Sequence, residues 1–272
     1  MCIYSFPPFL TIALTGTPGT GKTQVSRLLE KDGYSVLHLT EFISEHNISV
    51  ERDQERDCNV VDMDGLEKAV SKFQDKIRAG FEKKIKEMNF SDEDFLRYTK
   101  DPKNLPVLVV ESHMAHCLCD LAIVLRSHPA VLKERLDARG YSEKKVHENV
   151  LSESIDVILC DCYDYCRRVY EIDNSFLKLS ETASCVKEII HALYEDEFLK
   201  FKSYISKTGE DNSINSHEKQ INLILEPASG LTIVEEEGVV IYESEYDDSV
   251  DETNPILMKY VPGKNDWSNL ID

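Results

Sequence analysis

Short apolar runs alternate with segments of helical periodicity along roughly the first three quarters of the chain. The runs are apolar throughout rather than at every second position, which is typical of strands covered on both faces in a parallel sheet. The predicted strands are Thr11–Thr15, Ser35–Leu39, Val107–Val110 and Leu121–Leu125. The predicted helices are Lys22–Glu30, Glu41–His46, a helix from near Gly65, Ala130–Arg139, a stretch from Ser142 and a last helix around Val186–Leu193. This order predicts an α/β fold, with a doubly wound parallel sheet flanked by helices.

Three segments depart from this rhythm. Residues 52–64 are rich in Asp and predict a loop. Residues 80–104 are highly charged and predict an insertion, helical at first and then loop-like. Beyond about residue 205, a polar linker over 207–220 precedes three short predicted strands, which are Ile221–Leu225, Leu231–Val234 and Val239–Tyr242. We therefore expect a main domain over residues 1–205 and a C-terminal extension, residues 206–272, that the chemistry of the main domain does not need.

The charge of the chain is strongly one-sided. The net charge is −19, and residues 206–272 carry −11 of it, with 15 acidic against 4 basic side chains. Such a surface disfavours sequence-specific binding of nucleic acid, because phosphate contacts need basic patches. The C-terminal extension, which includes short predicted strands, is instead suited to a basic partner or to keeping the chain in solution.

Targeting and cysteine usage both indicate an intracellular protein. The apolar start of the chain, Ile3–Leu14, lacks a basic leader and a small-residue cleavage site, and no apolar stretch is long enough to span a bilayer. We therefore expect a buried first strand, no membrane association and a cytoplasmic location, or a nuclear one in a eukaryote. The eight cysteines then predict free thiols, and the spacings around Cys117 and Cys160 do not match a zinc site.

A phosphate-binding motif lies between the first predicted strand and the first helix. Residues 16–23 are Gly-Thr-Pro-Gly-Thr-Gly-Lys-Thr and match the G-x4-G-K-[ST] pattern in full. Glycines let backbone N–H groups turn inward, and the helix N-terminus adds positive potential. Lys22 is expected to reach the β- and γ-phosphates, and the Thr23 hydroxyl to ligate Mg²⁺. The motif predicts ATP or GTP as ligand and a P-loop fold, but it does not define the reaction. A regulatory GTPase is disfavoured because no Asn-Lys-x-Asp base-reading motif is present.

Three stretches give the chain a more specific resemblance. It resembles the atypical adenylate kinases grouped as adenylate kinase isoenzyme 6, together with their archaeal relatives. The likeness covers roughly residues 10–200 without the 80–104 insertion. The stretches that carry it are Thr15–Thr23, then Glu55–Asp64, and then Leu125–Glu153, with Leu-x2-Arg-Leu-x2-Arg-Gly-Tyr-Ser-Glu-Lys-Lys at its centre.

This resemblance implies a nucleoside monophosphate kinase architecture and the reaction ATP plus AMP giving two ADP, with Mg²⁺. It also implies ATP hydrolysis and a second role in maturation of the small ribosomal subunit. In that alternative, ATP turnover releases a bound basic ribosomal protein. By position, an acceptor site lies over residues 40–67 and a lid over residues 138–148. The residues that the resemblance assigns to the donor ATP are Gly19, Gly21, Lys22, Thr23, Gln24, Arg139 and Lys178, and we add Gly16 and Thr20 from the motif itself.

Local charge gives independent support for the lid. Between Arg126 and Lys145 there are six basic and three acidic side chains, an excess of positive charge in an acidic chain. Arginines in such a place stabilise the charge on a phosphoryl group in transfer. The alternative is a solvated helix face with ion pairs one turn apart. Arg139, beside Gly140, is the residue that we expect to be catalytic.

A second catalytic group is expected after the strand Val107–Val110. Glu111-Ser112-His113 stands where the resembling family has Asp-x-His, and Glu111 departs from that Asp. An acid here would hold a water on Mg²⁺, and the imidazole of His113 could orient or deprotonate an attacking water. A satisfied histidine at a strand end is an equally good interpretation of His113. Transfer to AMP needs no general base, so the catalytic set that we expect is Lys22, Arg139, Glu111 and, for hydrolysis, His113.

Overall fold

The computed structural model describes residues 7–53, 58–88, 90–209, 231–236, 239–244, 254–263, 265 and 267–270. The strands are β1 Leu10–Thr15, β2 Ser35–His38, β3 Ser49–Asp53, β4 Cys58–Val61, β5 Val107–Glu111, β6 Leu121–Arg126, β7 Arg168–Asp173, β8 Leu231–Glu236 and β9 Val239–Ser244. The helices are α1 Lys22–Lys31, α2 Leu39–His46, α3 Met63–Lys86, α4 Asp92–Tyr98, α5 Pro129–Asp137, α6 Glu143–Ser154, α7 Val157–Tyr165 and α8 Leu179–Gly209.

Five of these strands form one parallel sheet in the order β2-β5-β1-β6-β7. The strand β1 is central, with β5 on one side and β6 on the other, so the loop that follows β1 lies between the ends of its two neighbours. Apolar residues of β1 alternate between two hydrophobic clusters, one on each face of the sheet. One cluster includes α1 and α8, and the other includes α2, α3 and α7. The predicted doubly wound α/β fold is confirmed.

The strand β7 was not predicted. Its residues Arg168-Val-Tyr-Glu-Ile-Asp173 mix charged and apolar side chains, whereas the predicted strands are apolar runs. The structure buries this charge in ion pairs, since Arg168 contacts Asp196 at 2.9 Å and Glu171 contacts Arg126 at 3.2 Å. This edge strand can therefore contain charged residues, because ion pairs with residues distant in the sequence neutralise them.

The Asp-rich loop predicted over residues 52–64 is wrong. The strands β3 and β4 form an antiparallel pair, in which Arg52 is opposite Asn59. The helix α3 begins directly after it, with the Asp62 side chain accepting a hydrogen bond from the Gly65 backbone at 3.1 Å. Charged residues and Asn have low strand propensity, so the sequence pattern did not indicate this hairpin.

The predicted insertion over residues 80–104 is helical for most of its length. The helix α3 continues through Gly80 to Lys86, and α4 follows. Two of its aromatic residues, Phe81 and Phe95, are buried, and Phe95 stacks on Phe198 of α8 with ring centroids 5.2 Å apart. This segment therefore packs on the main domain.

The C-terminal extension divides into two described parts. The strands β8 and β9 form an antiparallel pair, which agrees with two of the three predicted strands, while Ile221–Leu225 lies outside the described residues. Residues 254–270, in the part that is described, pack on the main domain, with Leu257 and Trp267 buried. The boundary near residue 205 stays a prediction, but this last segment is not separate from the α/β unit. Within the described residues, no helix has the length and apolar character needed to cross a membrane.

Candidate active site

The loop after β1 has the tight geometry of a phosphate cradle. Gly16 has φ 134°, and a Cβ there would lie 2.2 Å from the Leu125 carbonyl oxygen of β6. Gly19 has φ 103°, and its Cβ would lie 2.7 Å from a methyl of Leu132 in α5. Only glycine adopts these conformations at such close approach. Residues 16–21 therefore wrap closely against β6 and α5, and the N-terminus of α1 follows at Lys22.

Lys22 lies inside this loop rather than in solvent. Its Nζ donates to the Gly16 carbonyl at 2.6 Å and to the Thr17 carbonyl at 3.1 Å. Burial lowers the pKa of Lys22 to about 8, because Glu111 and Glu153 only partly offset the loss of water. The amine is thus held at the loop by two neutral carbonyls, and an anionic ligand would restore its preference for the charged form.

Glu111, at the end of β5, connects the loop to β2. Its Oε1 accepts from the Thr23 hydroxyl at 3.1 Å, and its Oε2 is 3.1 Å from Nδ1 of His38. Burial acts to raise the pKa of Glu111, but the hydrogen bonds from His38 and Thr23 and the charge of Lys22 outweigh it, so the net pKa is lowered. The hydrogen bond to Glu111 in turn raises the pKa of His38. Glu111 is therefore an ionised carboxylate beside the Thr23 hydroxyl.

His113 lies two residues further on, in the turn after β5. Its carbonyl accepts from the Thr15 hydroxyl at 3.2 Å, and its side chain is exposed. Partial removal of water by the surrounding protein lowers the pKa of His113, and so do the charges of Lys22 and His116. The imidazole is therefore neutral at pH 7 and able to accept a proton.

A cleft of about 340 Å³ opens on the other side of the loop. Gly19, Gly21 and Gln24 form one part of its wall, and Arg139 forms another. Arg139 is exposed, and no described side chain forms an ion pair with it. The remaining wall is made by the loop from β7 to α8 and the start of α8, with Asn174, Leu177, Leu179 and Thr182. Lys178 lies between the two leucines of that wall with its side chain exposed.

The comparisons with known proteins agree with one another. A family model described as "AAA domain" matches residues 12–156. A protein of Methanosarcina acetivorans named "Putative adenylate kinase" is 40% identical over 196 residues, which cover 72% of this chain and 94% of that protein. A protein of Methanosarcina mazei with the same name is 36% identical over 197 residues, with 72% and 94% covered. The chain belongs to this adenylate kinase family.

A solved structure adds only a general likeness. Shikimate kinase from Bacteroides thetaiotaomicron aligns with a TM-score of 0.38 and 16% identity, over 66% of this chain and 98% of that chain. A likeness at that level says nothing about activity.

Arg126 has a different role from the one that the charge count indicated. It is 1% exposed, at the end of β6, and its guanidinium contacts Glu153 at 2.9 Å, Glu171 at 3.2 Å and also Asp156. Lys133 and Lys144 pair one helical turn on, with Asp137 at 2.7 Å and Glu148 at 4.0 Å. Three of the six basic side chains between Arg126 and Lys145 are therefore paired with carboxylates, and Arg135 and Arg139 are the arginines of this stretch that line the cleft.

Several residues at the adenylate kinase site were not predicted from the sequence. Asn174 bridges the site, since its side-chain amide donates to the Thr20 carbonyl and its Oδ1 accepts from Ser127 at 2.6 Å and Arg135 at 3.0 Å. Glu153 accepts from Thr17 of the loop, and His38 supports Glu111. Each of these contacts joins residues far apart in the chain. The sequence could have shown only that these residues lie near the ends of predicted strands or helices, not that they contact one another.

Proposed function

We propose that the protein is an adenylate kinase that transfers the γ-phosphoryl group of ATP to AMP. The observation that carries the proposal is the position of Lys22 and the cleft arginines around one loop. Lys22 lies within the cradle of residues 16–21, and Arg139 lines the cleft beside Gly19 and Gly21. Neither forms an ion pair among the described residues, and two such cationic groups at one phosphate cradle suit a phosphoryl group in transfer, whose negative charge spreads over its equatorial oxygens.

The rest of the cleft suits the base and ribose of the donor ATP. Leu177 and Leu179 offer apolar surface in this cleft, and Lys178 lies between them in the sequence. The phosphates would extend from there to Gly19, Gly21 and the N-terminus of α1, where backbone N–H groups and the helix dipole favour negative charge. Gln24, which lines the same wall, lies beside this path.

The donor set beside Thr23 fits Mg²⁺ that arrives with ATP. Mg²⁺ binds through one or two protein oxygens plus substrate phosphates and water, and the Thr23 hydroxyl and the ionised Glu111 carboxylate are such oxygens. Among the described residues, no group of three or more His, Cys, Asp and Glu side chains could hold a metal ion. When bound, the ion neutralises charge on the β- and γ-phosphates.

The acceptor is proposed to bind between residues 40 and 67, on the opposite side of the loop. The helix α2, the β3–β4 pair and the start of α3 make up this segment. Transfer to AMP requires positioning and charge stabilisation but no base, because the acceptor phosphate is already ionised near pH 7. The donor and acceptor would thus meet at Lys22.

Analysis of the products from labelled ATP tests the proposal. Purified protein is incubated with ATP and Mg²⁺, alone and with AMP, CMP, UMP or GMP in turn, and the Lys22→Ala variant is carried through in parallel. We expect ADP to accumulate with AMP at two molecules for each AMP consumed, and Lys22→Ala to form none. Release of inorganic phosphate alone, with no dependence on any monophosphate, would contradict a kinase.

A second activity, ATP hydrolysis, is favoured by one observation at the same site. The neutral imidazole of His113 lies on the β5 side of the loop, near Lys22 and Glu111, where it can orient a water. We propose that hydrolysis occurs when AMP is absent. A role of this turnover in releasing a basic small-subunit ribosomal protein is supported only by the charge of −11 over residues 206–272. Co-purification of a tagged full chain with or without ATP would test that role.

A further inference from the structure

The end of the chain reaches the phosphate-binding loop through buried charges. Residues 254–270, here called the C-terminal segment, form hydrogen bonds with the main domain at two places. At the first, Lys259 and Tyr260 donate to the Glu188 carboxylate of α8, at 2.8 Å and 2.6 Å. At the second, the Gly263 backbone and the Asn265 side chain donate to Glu171 of β7, at 3.1 Å and 2.8 Å.

Trp267 lies at this second place and covers Arg126. The ring centroid of Trp267 is 4.8 Å from Cζ of Arg126, and the side chain is only 8% exposed. The His128 ring meets the indole edge-on, with centroids 5.9 Å apart. An aromatic face over a guanidinium attracts the charge, most strongly where water is excluded.

The cluster beneath Trp267 has more negative than positive charge. Arg126 is its single cation, and Glu153, Glu171 and Asp156 are its carboxylates. Glu153 and Glu171 are each 2% exposed at the side chain. Asp156 has φ 60°, a left-handed conformation that is uncommon for a residue other than glycine. Such a cluster keeps one arrangement only while each buried charge is paired, and the C-terminal segment supplies two of the donors to Glu171.

The same cluster touches the phosphate-binding loop directly. Glu153 accepts a hydrogen bond from the Thr17 hydroxyl of the loop and one from the Ser127 backbone at 2.9 Å. Arg126 fixes Glu153 twice, through Nε to the carboxylate at 2.9 Å and through Nη2 to the backbone carbonyl at 3.0 Å. A continuous chain of contacts therefore runs from Trp267 through Arg126 and Glu153 to Thr17.

We propose that Trp267 and the C-terminal segment close the Arg126–Glu153–Glu171 cluster and thereby position the phosphate-binding loop for the donor nucleotide. Trp267 is a positioning residue: it acts through Arg126 and Glu153 and touches no substrate. Its removal admits water to the cluster, Glu153 loses its fixed orientation, and the loop at Thr17 spends less time in the shape that accepts phosphates. The inference rests on the proposed function, because the ligand whose binding reports it is ATP.

Binding of ATP to the full-length chain, with Mg²⁺ and without AMP, tests the proposal by calorimetry. Trp267→Ala is expected to weaken ATP binding about tenfold, close to the most that loss of one desolvated cation–π contact can transmit to the loop, while KM for AMP stays within about twofold. Trp267→Phe keeps a ring face and is expected to restore most of the affinity. Leu270→Ala, which changes an exposed side chain of the same segment, is the matched control with wild-type affinity.

A double-mutant cycle distinguishes positioning from a general loss of stability. If Trp267 acts through Glu153 on Thr17, Thr17→Val and Trp267→Ala together weaken ATP binding by less than the product of the two single effects. Should Trp267→Ala fail to fold by circular dichroism, Trp267→Leu replaces it, since leucine fills apolar volume without offering a ring face. Wild-type ATP affinity in a folded Trp267→Ala or Trp267→Leu, or equal weakening of ATP and AMP, overturns the proposal. A wild-type chain that binds no ATP would overturn the proposed function instead.

Discussion

The strands β5 and β6 lie on either side of β1, and both end with a charged residue next to the phosphate-binding loop. On the β5 side, Glu111 accepts from the Thr23 hydroxyl and from His38, and an exposed histidine, His113, follows. On the β6 side, Arg126 is buried and directs donors to three carboxylates. Both residues end a strand that pairs with β1, yet the β5 end is followed by an exposed imidazole, whereas the guanidinium at the β6 end is enclosed.

We infer from this difference that the number of partners of a strand-end charge, rather than its place at the end of a strand, indicates whether it is available for chemistry. The Nε, Nη1 and Nη2 atoms of Arg126 all donate to protein acceptors, so no nitrogen is left for a phosphate. A buried guanidinium must be paired in this way, because an unpaired charge away from water is costly. Of these two strand ends, that of β5 therefore offers groups for the proposed chemistry, and that of β6 supports the loop.

The largest expected effect is on stability, from Arg126→Ala. Removing one partner of a buried ion pair leaves the carboxylates of Glu153 and Glu171 uncompensated and costs about 3–5 kcal/mol of unfolding free energy. Glu111→Gln, on the β5 side, keeps the size of the side chain but has one acceptor oxygen instead of two, so it loses one hydrogen bond and is expected to cost about 1–2 kcal/mol. Urea denaturation of both variants measures the contrast. Equal losses would mean that the two sides do not differ in kind.

The next effect is on catalysis, from Lys22→Ala. We expect phosphoryl transfer to fall at least about a hundredfold, as for loss of one preorganised charge at the transferring group. Steady-state kinetics with ATP and AMP measure it. The control is Lys31→Ala, an exposed lysine at the end of the same helix, which should keep near-normal turnover. Near-normal turnover of Lys22→Ala itself would remove the loop from the mechanism.

Arg139→Ala separates the cleft arginine from Arg126. Since Arg139 lines the cleft and has no ion-pair partner among the described residues, its loss should lower kcat by about tenfold or more and leave stability nearly unchanged. The affinity for ATP should fall by less than kcat, because the arginine acts mainly on the transition state. Lys133→Ala, which breaks an exposed pair with Asp137 on α5, is the control and should change kcat less than about twofold. A loss in Arg139→Ala no greater than in this control would make Arg139 a surface residue.

The lowered pKa of Lys22 predicts a pH dependence of ATP binding. In the free protein Lys22 has a pKa of about 8, so it loses its proton as the pH rises through that value. ATP binding should therefore weaken about tenfold between pH 7 and pH 9, and it should take up a proton near pH 8. Calorimetry in buffers of different ionisation enthalpy measures that uptake. Lys22→Arg, which stays charged, should show neither effect in this range. A wild-type affinity that is flat to pH 9 would show that the amine is already charged.

The sequence was sufficient to predict those parts of the fold that depend on local pattern. Apolar runs identified the strands β1, β2, β5 and β6, and the glycine spacing identified the loop and Lys22. The strand β7 escaped because Arg168 and Glu171 interrupt its apolar character, and their partners on α8 and β6 are known only from the fold. Charge that is buried in pairs looks, in the sequence, like charge that is exposed to solvent.

Of the candidate site, the sequence predicted only the residues that belong to recognisable motifs. Thr23 and Glu111 were both expected near Mg²⁺, one from the glycine-loop motif and the other from the resemblance, and the structure has them within hydrogen-bond distance. The contacts of Asn174 with Thr20, and of Glu153 with Thr17, join residues 154 and 136 positions apart. Trp267 was assigned to an extension that the main domain would not need, yet it packs on Arg126. No local sequence pattern predicts these contacts, because they depend on which helix packs against which strand in the folded chain.

The smallest expected effect on the kinase reaction comes from His113→Ala, and it tests the β5 side alone. Hydrolysis of ATP without AMP should fall about tenfold, because only that reaction needs an oriented water, while transfer to AMP should change less than about twofold. His113→Gln, which can orient a water but cannot accept its proton, distinguishes the two roles: recovery of hydrolysis indicates orientation, and no recovery indicates a base. The pKa of His113 lies below its usual 6.5, so hydrolysis in the wild type should be level near pH 7 and fall only under acidic conditions, as the imidazole gains a proton. Equal losses in both reactions would instead mean that the His113 side chain supports the shape of the turn after β5, and the contrast between the two strand ends would then rest on Glu111 alone.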